Sequence, residues 1–357
     1  MNEVELIDIL RSVLTDGADL YAPLRVDDVR FDEAVVDTDG QRWEADASCD
    51  LVWAGKKVRC LLEAKARATP KLVADATARL KRISMLEEPN VEPVLVVPYL
   101  SRGIAEQLEQ YGVSGLDLNG NYLLLTDDLV AIRLDQPNAY PQSRDIKKVY
   151  SYNSSIVGRY LLVENRVFEQ VNEIYEGIQE RGGGISLSTV SKVLKGLDDE
   201  MIISKKRGEI RLLQPEKLLD RLEDGYREPR TGRRMELKLP EGEAADVLRE
   251  VLGSENWIWS GEASAEAYAT TTPVKVRTAY TKGLATARDA FRDFEDRRFY
   301  NCILEQTDDD YVYFDRREEW ASPVEAYLAL FQMDKREREI ARSIRDNVIM
   351  TEWETNA

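Results

Sequence analysis

Cys49-Asp50-Leu51-Val52-Trp53, then Ala54-Gly55-Lys56-Lys57, then the apolar run Val58 to Leu62 leading into Glu63-Ala64-Lys65, is the stretch whose reading decides the first half of this chain. Both flanks have the composition of strands, and the segment between them has the composition of a turn. Side chains alternate across a strand, so Glu63 and Lys65 project from one face while Leu62 and Ala64 project from the other. A hairpin through Ala54 to Lys57 is expected to bring Asp50 alongside them. Two carboxylates converging at a sheet can hold a hard cation such as Mg²⁺ or Mn²⁺. An ammonium beside them can orient a water and offset the charge of a phosphodiester. The bland reading of Glu63 and Lys65 is an exposed ion pair on a half-solvated strand, which contributes little.

The Glu-x-Lys triplet is not specific by itself, because Glu236-Leu237-Lys238 repeats it with Asp224 upstream. Context separates the two. Glu63 ends an apolar run, whereas Glu236 follows Arg233 and Arg234 and runs toward Pro240 and Gly242.

With 357 residues, 43% of them hydrophobic, the chain is long enough for two or three cored domains. No apolar run reaches the roughly 20 residues that a membrane helix needs. The opening Met1-Asn2-Glu3-Val4-Glu5 lacks a signal-peptide core, so a cytoplasmic location is the expectation. Cys49, Cys60 and Cys302 are scattered and lack metal-ligand spacing, which argues against a disulfide framework. There is no histidine. Ser-His-Asp and Cys-His catalysis, histidine-bound zinc and histidine-based nucleases are thereby excluded, and any metal site must be built from carboxylates and carbonyls. The net charge of -17 opposes indiscriminate adhesion to nucleic acid, so phosphate contacts would have to come from local basic patches.

The segment Val4 to Leu14 has apolar residues at helical spacing and is expected to pack on the following sheet. Pro70 opens a helix with Leu72, Val73, Ala76, Leu80 and Ile83 on one face and Lys71, Arg79, Lys81 and Arg82 around it. Val94 to Val97 reads as a buried strand and Gly103 to Tyr111 as a helix, an order that implies an α/β domain with a mixed or parallel sheet. Asn119-Gly120 between apolar runs signals a hairpin, which is the structural reading of Asp117 and Asn121. Pro, Asn and Gln punctuate Pro137 to Arg144, setting a domain of residues 1–145.

Residues 151–226 read as a winged helix. One helix runs through Glu164 and a second from Phe168 to Arg181. A third, from Ser186 to Leu197, puts Val190, Val193, Leu194 and Leu197 in the core. Ser188, Thr189, Ser191, Lys192 and Lys195 are left facing outward, suited to phosphates and base edges. Two short strands follow around Lys205-Lys206-Arg207-Gly208, whose cations would sit at the tip of the wing. A basic solvated turn in a protein-binding winged helix is the alternative. Arg227, Arg230, Arg233, Arg234 and Lys238 read as a basic linker, most simply a solvated one. Residues 235–357 are expected to be an α+β domain with a helix from Glu243 to Leu252, a strand-turn-helix from Trp257, a turn at Asp308-Asp309-Asp310, a strand Tyr311 to Phe314, and helices from Pro323 and Arg336.

The acid, acid and lysine of the first domain resemble the PD-(D/E)XK nuclease superfamily. That resemblance implies a restriction-endonuclease-like fold, Asp50 and Glu63 as Mg²⁺ or Mn²⁺ ligands, Lys65 as the residue that positions water, and a further acid from the first helix, Glu5 or Glu3. The wider chain resembles AbiEi-type regulators, the antitoxin side of type IV toxin-antitoxin systems. This second resemblance rests on Gly112 to Asn121, the winged helix, Trp259-Ser260-Gly261-Glu262-Ala263-Ser264-Ala265-Glu266-Ala267-Tyr268 and Ala321-Ser322-Pro323-Val324-Glu325-Ala326-Tyr327. Three functions are therefore expected to compete. One is a DNA-targeting nuclease active in mobile-element defence. Another is a non-catalytic DNA-binding transcriptional regulator with a toxin partner. The third is an interaction scaffold that uses Trp257, Trp259 and Trp320. A homodimer suits either of the first two.

Overall fold

The computed structural model describes residues 2–16, 20–36, 42–85, 91–126, 129–140, 148–272 and 274–355, in two compact units, Met1–Ser143 and Arg144–Ala357. Residues 141–147, where the sequence is punctuated and the first domain is expected to end, lie outside the described residues.

The first unit is a mixed seven-stranded sheet whose spatial order follows the chain. Helix α1 (Glu3–Asp16) precedes β1 (Arg25–Val36), β2 (Arg42–Trp53) and β3 (Lys56–Ala64), an antiparallel meander. Helix α2 (Pro70–Ser84) then returns the chain to β4 (Val91–Val97), parallel to β3. Helix α3 (Arg102–Tyr111) leads to β5 (Ser114–Asp117), parallel to β4. β6 (Tyr122–Thr126) and β7 (Leu129–Arg133) finish it antiparallel.

Alternation along the strands builds a core on each face. Leu6, Leu10 and Leu14 of α1 pack with Cys49, Leu51, Cys60, Leu62, Val94 and Val96. Val73 and Leu80 of α2 and Ala105 and Leu108 of α3 pack with Leu95 and Val97. β4 is thus apolar on both faces, as a strand between two helical layers must be. Cys49 and Cys60 face each other across β2 and β3 as buried free thiols, and burial pushes Cys49 up to about 12, so they act as small hydrophobes.

The Asn119-Gly120 hairpin forms, and its acid is structural. Asp117 is fully buried and accepts from Asn119 N at 2.7 Å, Asn121 N at 2.8 Å, Leu100 N at 2.9 Å and Asn121 Nδ2 at 2.7 Å. Gly120 has φ of +92°, and an added Cβ there would lie 2.5 Å from the Leu20 carbonyl oxygen, so only glycine fits.

The second unit holds helices Ser155–Val163, Val171–Glu180, Leu187–Asp199 and Pro215–Gly225 with the two-stranded hairpin β8 (Ile203–Lys206) and β9 (Glu209–Leu212). A four-stranded sheet follows, ordered β10 (Arg234–Leu237), β13 (Cys302–Gln306), β12 (Arg277–Thr281), β11 (Trp257–Trp259). The two segments read as separate domains, 151–226 and 235–357, share one core: Tyr160, Leu194 and Leu219 belong with Tyr311, Phe314, Val324 and Tyr327. A buried ion pair crosses it. Arg159 NH1 lies 2.7 Å from Glu325 Oε2, and Tyr226 donates to Glu325 Oε1 at 3.0 Å.

Four local expectations change. Arg234–Leu237 is a strand rather than linker, because Met235 and Leu237 alternate into a buried cluster with Trp257 and Leu304. Tyr311 to Phe314 forms a helical turn instead of a strand, since all four side chains are buried together and alternation cannot serve them. The acidic run before it binds cations: Asp309 takes Arg230, and Asp310 takes Lys282. Trp257 and Trp259 are each 1% exposed, packed edge to face at 5.3 Å, and offer a partner nothing.

Candidate functional site

β2 and β3 are joined by a two-residue turn, Ala54 at φ 48° and Gly55 at φ 81°, positive at both positions as the tight hairpin turn requires. Pairing then follows by counting back from Trp53 and Lys56. Asp50 falls opposite Arg59, and Ala47 falls opposite Leu62. Glu63 thus stands about 13 Å further along the sheet than Asp50, four residues at the strand rise. The expected pair of Asp50 and Glu63 is not brought together. Asp50 is 4% exposed and held by Lys57 Nζ at 2.7 Å and Arg59 NH1 at 3.3 Å. Arg59 also binds Asp28 Oδ2 at 3.0 Å and Ser48 Oγ at 2.9 Å. Asp50 is therefore the hub of a salt-bridge network across three strands.

A different group of side chains assembles around Glu63, which is 1% exposed at the end of β3. Its Oε1 accepts from Lys65 Nζ at 2.8 Å and Arg79 NH1 at 2.8 Å. Arg79 comes from α2 and braces itself on the Glu44 carbonyl at 2.9 Å. Lys65 Nζ also lies 3.6 Å from Glu3 Oε1 in the first turn of α1. Asp46 is the next position beyond the last paired residues of the ladder, and its Oδ2 accepts from Ala64 N at 2.7 Å.

The electrostatics are mutual. Burial, with the negative charge of Glu63, raises the Asp46 carboxyl above its usual range, against the lowering by Ala64 N–H, Lys65 and Arg79. Burial alone would lower Lys65, yet the hydrogen bond and charge of Glu63, with Glu3 and Asp46, raise it. Lys65 is consequently a fixed cation and cannot act as a neutral base near pH 7.

Asp46 and Arg79 are the members that sequence reading missed, and of the two acids considered on α1, Glu3 meets Lys65. Glu5 accepts from Asn2 N at 3.0 Å at the helix start. The signal for Asp46 was present: once Ala54-Gly55 is taken as a two-residue turn, counting outward sets residue 46 against residue 63. No comparable signal marks Arg79, whose role depends on how α2 docks.

Among the described residues, no group of three or more acidic or cysteine side chains is placed to hold a metal ion. Asp46 and Glu63 form a smaller, all-oxygen pair at one sheet end. Such a pair suits Mg²⁺, which commonly takes one or two carboxylates and completes its shell with water and substrate phosphate.

In the second unit, Ser186 caps the helix Leu187–Asp199, accepting from Thr189 N at 3.2 Å and contacting Ser188 Oγ at 2.9 Å. Val190, Val193, Leu194 and Leu197 are buried, while Ser188, Ser191, Lys192 and Lys195 are exposed and Thr189 is half-buried. Lys206 and Arg207 are exposed at the tip between β8 and β9, where Gly208 has φ of +75°. Lys205 is partly buried, with its backbone N–H on Asp198 Oδ1 at 3.1 Å. Ser188, Ser191, Lys192 and Lys195 thus lie exposed on one helix face and Lys206 and Arg207 at one hairpin tip, while Thr189 and Lys205 are partly covered. No known family model and no curated protein matches this chain, and no helix among the described residues is long and apolar enough to cross a membrane.

Proposed function

We propose that the chain is a DNA-binding protein in which a metal-dependent nuclease domain of PD-(D/E)XK type, residues 1–143, is joined to a winged helix that engages duplex DNA. The observation that carries this reading is the convergence of Asp46, Glu63 and Lys65, with Glu3 and Arg79, at the end of β3 where α1 and α2 both reach the sheet. Asp50, the sequence candidate, is replaced by Asp46 in the ligand role.

Asp46 and Glu63 would hold Mg²⁺ or Mn²⁺, which when bound polarises the phosphodiester and lowers the pKa of water. Lys65, pinned by Glu63 and Glu3, presents a positive charge that orients the attacking water and stabilises the developing negative charge. Arg79, 2.8 Å from Glu63 Oε1, fixes the orientation of that carboxylate. In the second unit, Ser188, Thr189, Ser191, Lys192 and Lys195 would face the groove, with Lys205, Lys206 and Arg207 at the backbone.

A specific observation favours the runner-up, a non-catalytic regulator of AbiEi antitoxin type. Glu63 Oε1 already has two cationic partners, so its own charge is matched without a metal. Plasmid and linear DNA incubated in Mg²⁺ or Mn²⁺ decide between them. Cleavage that disappears in Lys65→Ala and with chelator supports the nuclease. DNA retarded but never cut, and bound equally by the variant, supports the regulator.

A further inference from the structure

We propose that Arg79 is an autoinhibitory latch on the site of the first unit: its guanidinium holds the place on Glu63 that a divalent cation has to take, so that loading the site means displacing Arg79. This deepens the nuclease reading above and rests on it.

Each oxygen of a carboxylate offers two acceptor positions. On Glu63 Oε1 both are filled, by Lys65 Nζ and Arg79 NH1, each at 2.8 Å. A cation shared between Asp46 and Glu63 through Oε1 therefore has to evict one of the two. Charge sets the same requirement. Three acids, Glu3, Asp46 and Glu63, face two cations, Lys65 and Arg79. A divalent ion added to that set leaves positive charge in excess, whereas release of one resident cation restores the balance.

The two cations are not equally releasable. Lys65 follows Glu63 by two residues in the same segment, its side chain is 20% exposed, and Glu3 holds it from α1 at 3.6 Å. Arg79 reaches in from another element with a side chain that is 43% exposed, and its second contact is the Glu44 carbonyl. Helix α2 docks through Val73, Ala76, Thr77, Leu80 and Ile83, which leaves Arg79 on its flank beside exposed Asp75 and Ala78. Asp75, four residues earlier, is a neighbour on the helix surface and offers the released guanidinium a second carboxylate. The guanidinium can thus swing out while α2 stays docked. Such competition lowers the apparent metal affinity by the fraction of molecules in which the latch is open. Removing it is expected to tighten binding by about three- to thirty-fold, the span between an exposed ion pair and a hydrogen bond to a buried charged group.

The test is Mn²⁺ binding by the full chain without DNA, followed as loss of the free-ion electron paramagnetic resonance signal, for wild type, Asp46→Asn, Arg79→Gln and Arg79→Lys, with thermal melts to show that each is folded. Asp46→Asn should lose the site. Arg79→Gln should bind more tightly by the factor above. Arg79→Lys should also bind more tightly, because lysine keeps the charge but cannot span Glu63 Oε1 and the Glu44 carbonyl together. If Arg79→Gln tightens binding and Arg79→Lys matches wild type, only a nearby charge is at work and the latch is overturned. Equal or weaker binding in both Arg79 variants overturns it too, and the metal reading survives when Asp46→Asn still loses the ion. If no form binds Mn²⁺ through Asp46, the metal site itself fails and the latch falls with it.

Discussion

Asp46 and Asp50 lie on one strand and share a residue type, yet their neighbours assign them opposite work. Asp50 has two cations on its carboxylate and a place in a network. Asp46 has one backbone N–H and the nearby charge of Glu63. Asp46→Asn is therefore expected to abolish metal-dependent cleavage with little change in melting temperature, while Asp50→Asn should keep cleavage and lower stability by about 1–3 kcal/mol, the scale for hydrogen bonds to charged groups; plasmid nicking and thermal melts on both variants check it. Asp309 yields a pH prediction. Burial would raise its carboxyl, but the hydrogen bonds and charge of Arg230 outweigh that and hold it low. A lowered folded value means the unfolded chain binds the proton more readily. The contribution is thus fully present above the ordinary aspartate value of about 3.9 and is lost as pH falls from there through the folded value. Denaturant titrations at stepped pH should show wild type losing stability below about pH 4 more steeply than Asp309→Asn.

Turn chemistry governs the elements that carry both proposed sites. Ala54 pays for a left-handed conformation that asparagine tolerates better, so Ala54→Asn should stabilise the β2–β3 hairpin by up to about 1 kcal/mol without altering its register; a rise in melting temperature with unchanged site activity is the expected result. At the other hairpin, Lys206→Ala with Arg207→Ala should weaken DNA binding across sequences and reduce the slope of log affinity against log salt by about two. Unchanged salt dependence would remove the tip from the interface. Elements such as these were legible early. Val190, Val193, Leu194 and Leu197 share one face at helical spacing and are all buried. Tyr311 to Phe314 was misread because four consecutive apolar residues do not distinguish a buried strand from a buried turn.

At the scale of the whole molecule, the second unit behaves as one body although its sequence reads as two. Arg159 and Glu325 are each 1% exposed and come from the two segments, with Tyr226 completing the carboxylate. Removing one partner strands a charge in the core. Glu325→Ala should therefore cost about 3–5 kcal/mol, whereas a joint replacement of Arg159 and Glu325 by apolar residues should cost much less. Equilibrium unfolding of the two variants gives the comparison, and equal losses would show that packing, not the stranded charge, sets the penalty.

By itself the sequence determined much of what local periodicity can encode: the main helices and their apolar faces, the strands around Asp50, Glu63 and Val94 to Val97, the Asn119-Gly120 turn, and, through the missing histidine and scattered cysteines, that only oxygen chemistry is open to a metal. It also placed Glu63 and Lys65 on one face of one strand. Partner choice was left to the tertiary structure. Which aspartate meets Glu63 depends on strand register, which the two-residue turn sets. That Glu3 and Arg79 reach the same spot depends on how α1 and α2 dock on the sheet, and the union of the two C-terminal segments depends on a core assembled from residues more than a hundred positions apart. Periodicity along the chain carries no information about such distances, because burial rewards any apolar face equally until packing and charge pairing select one partner.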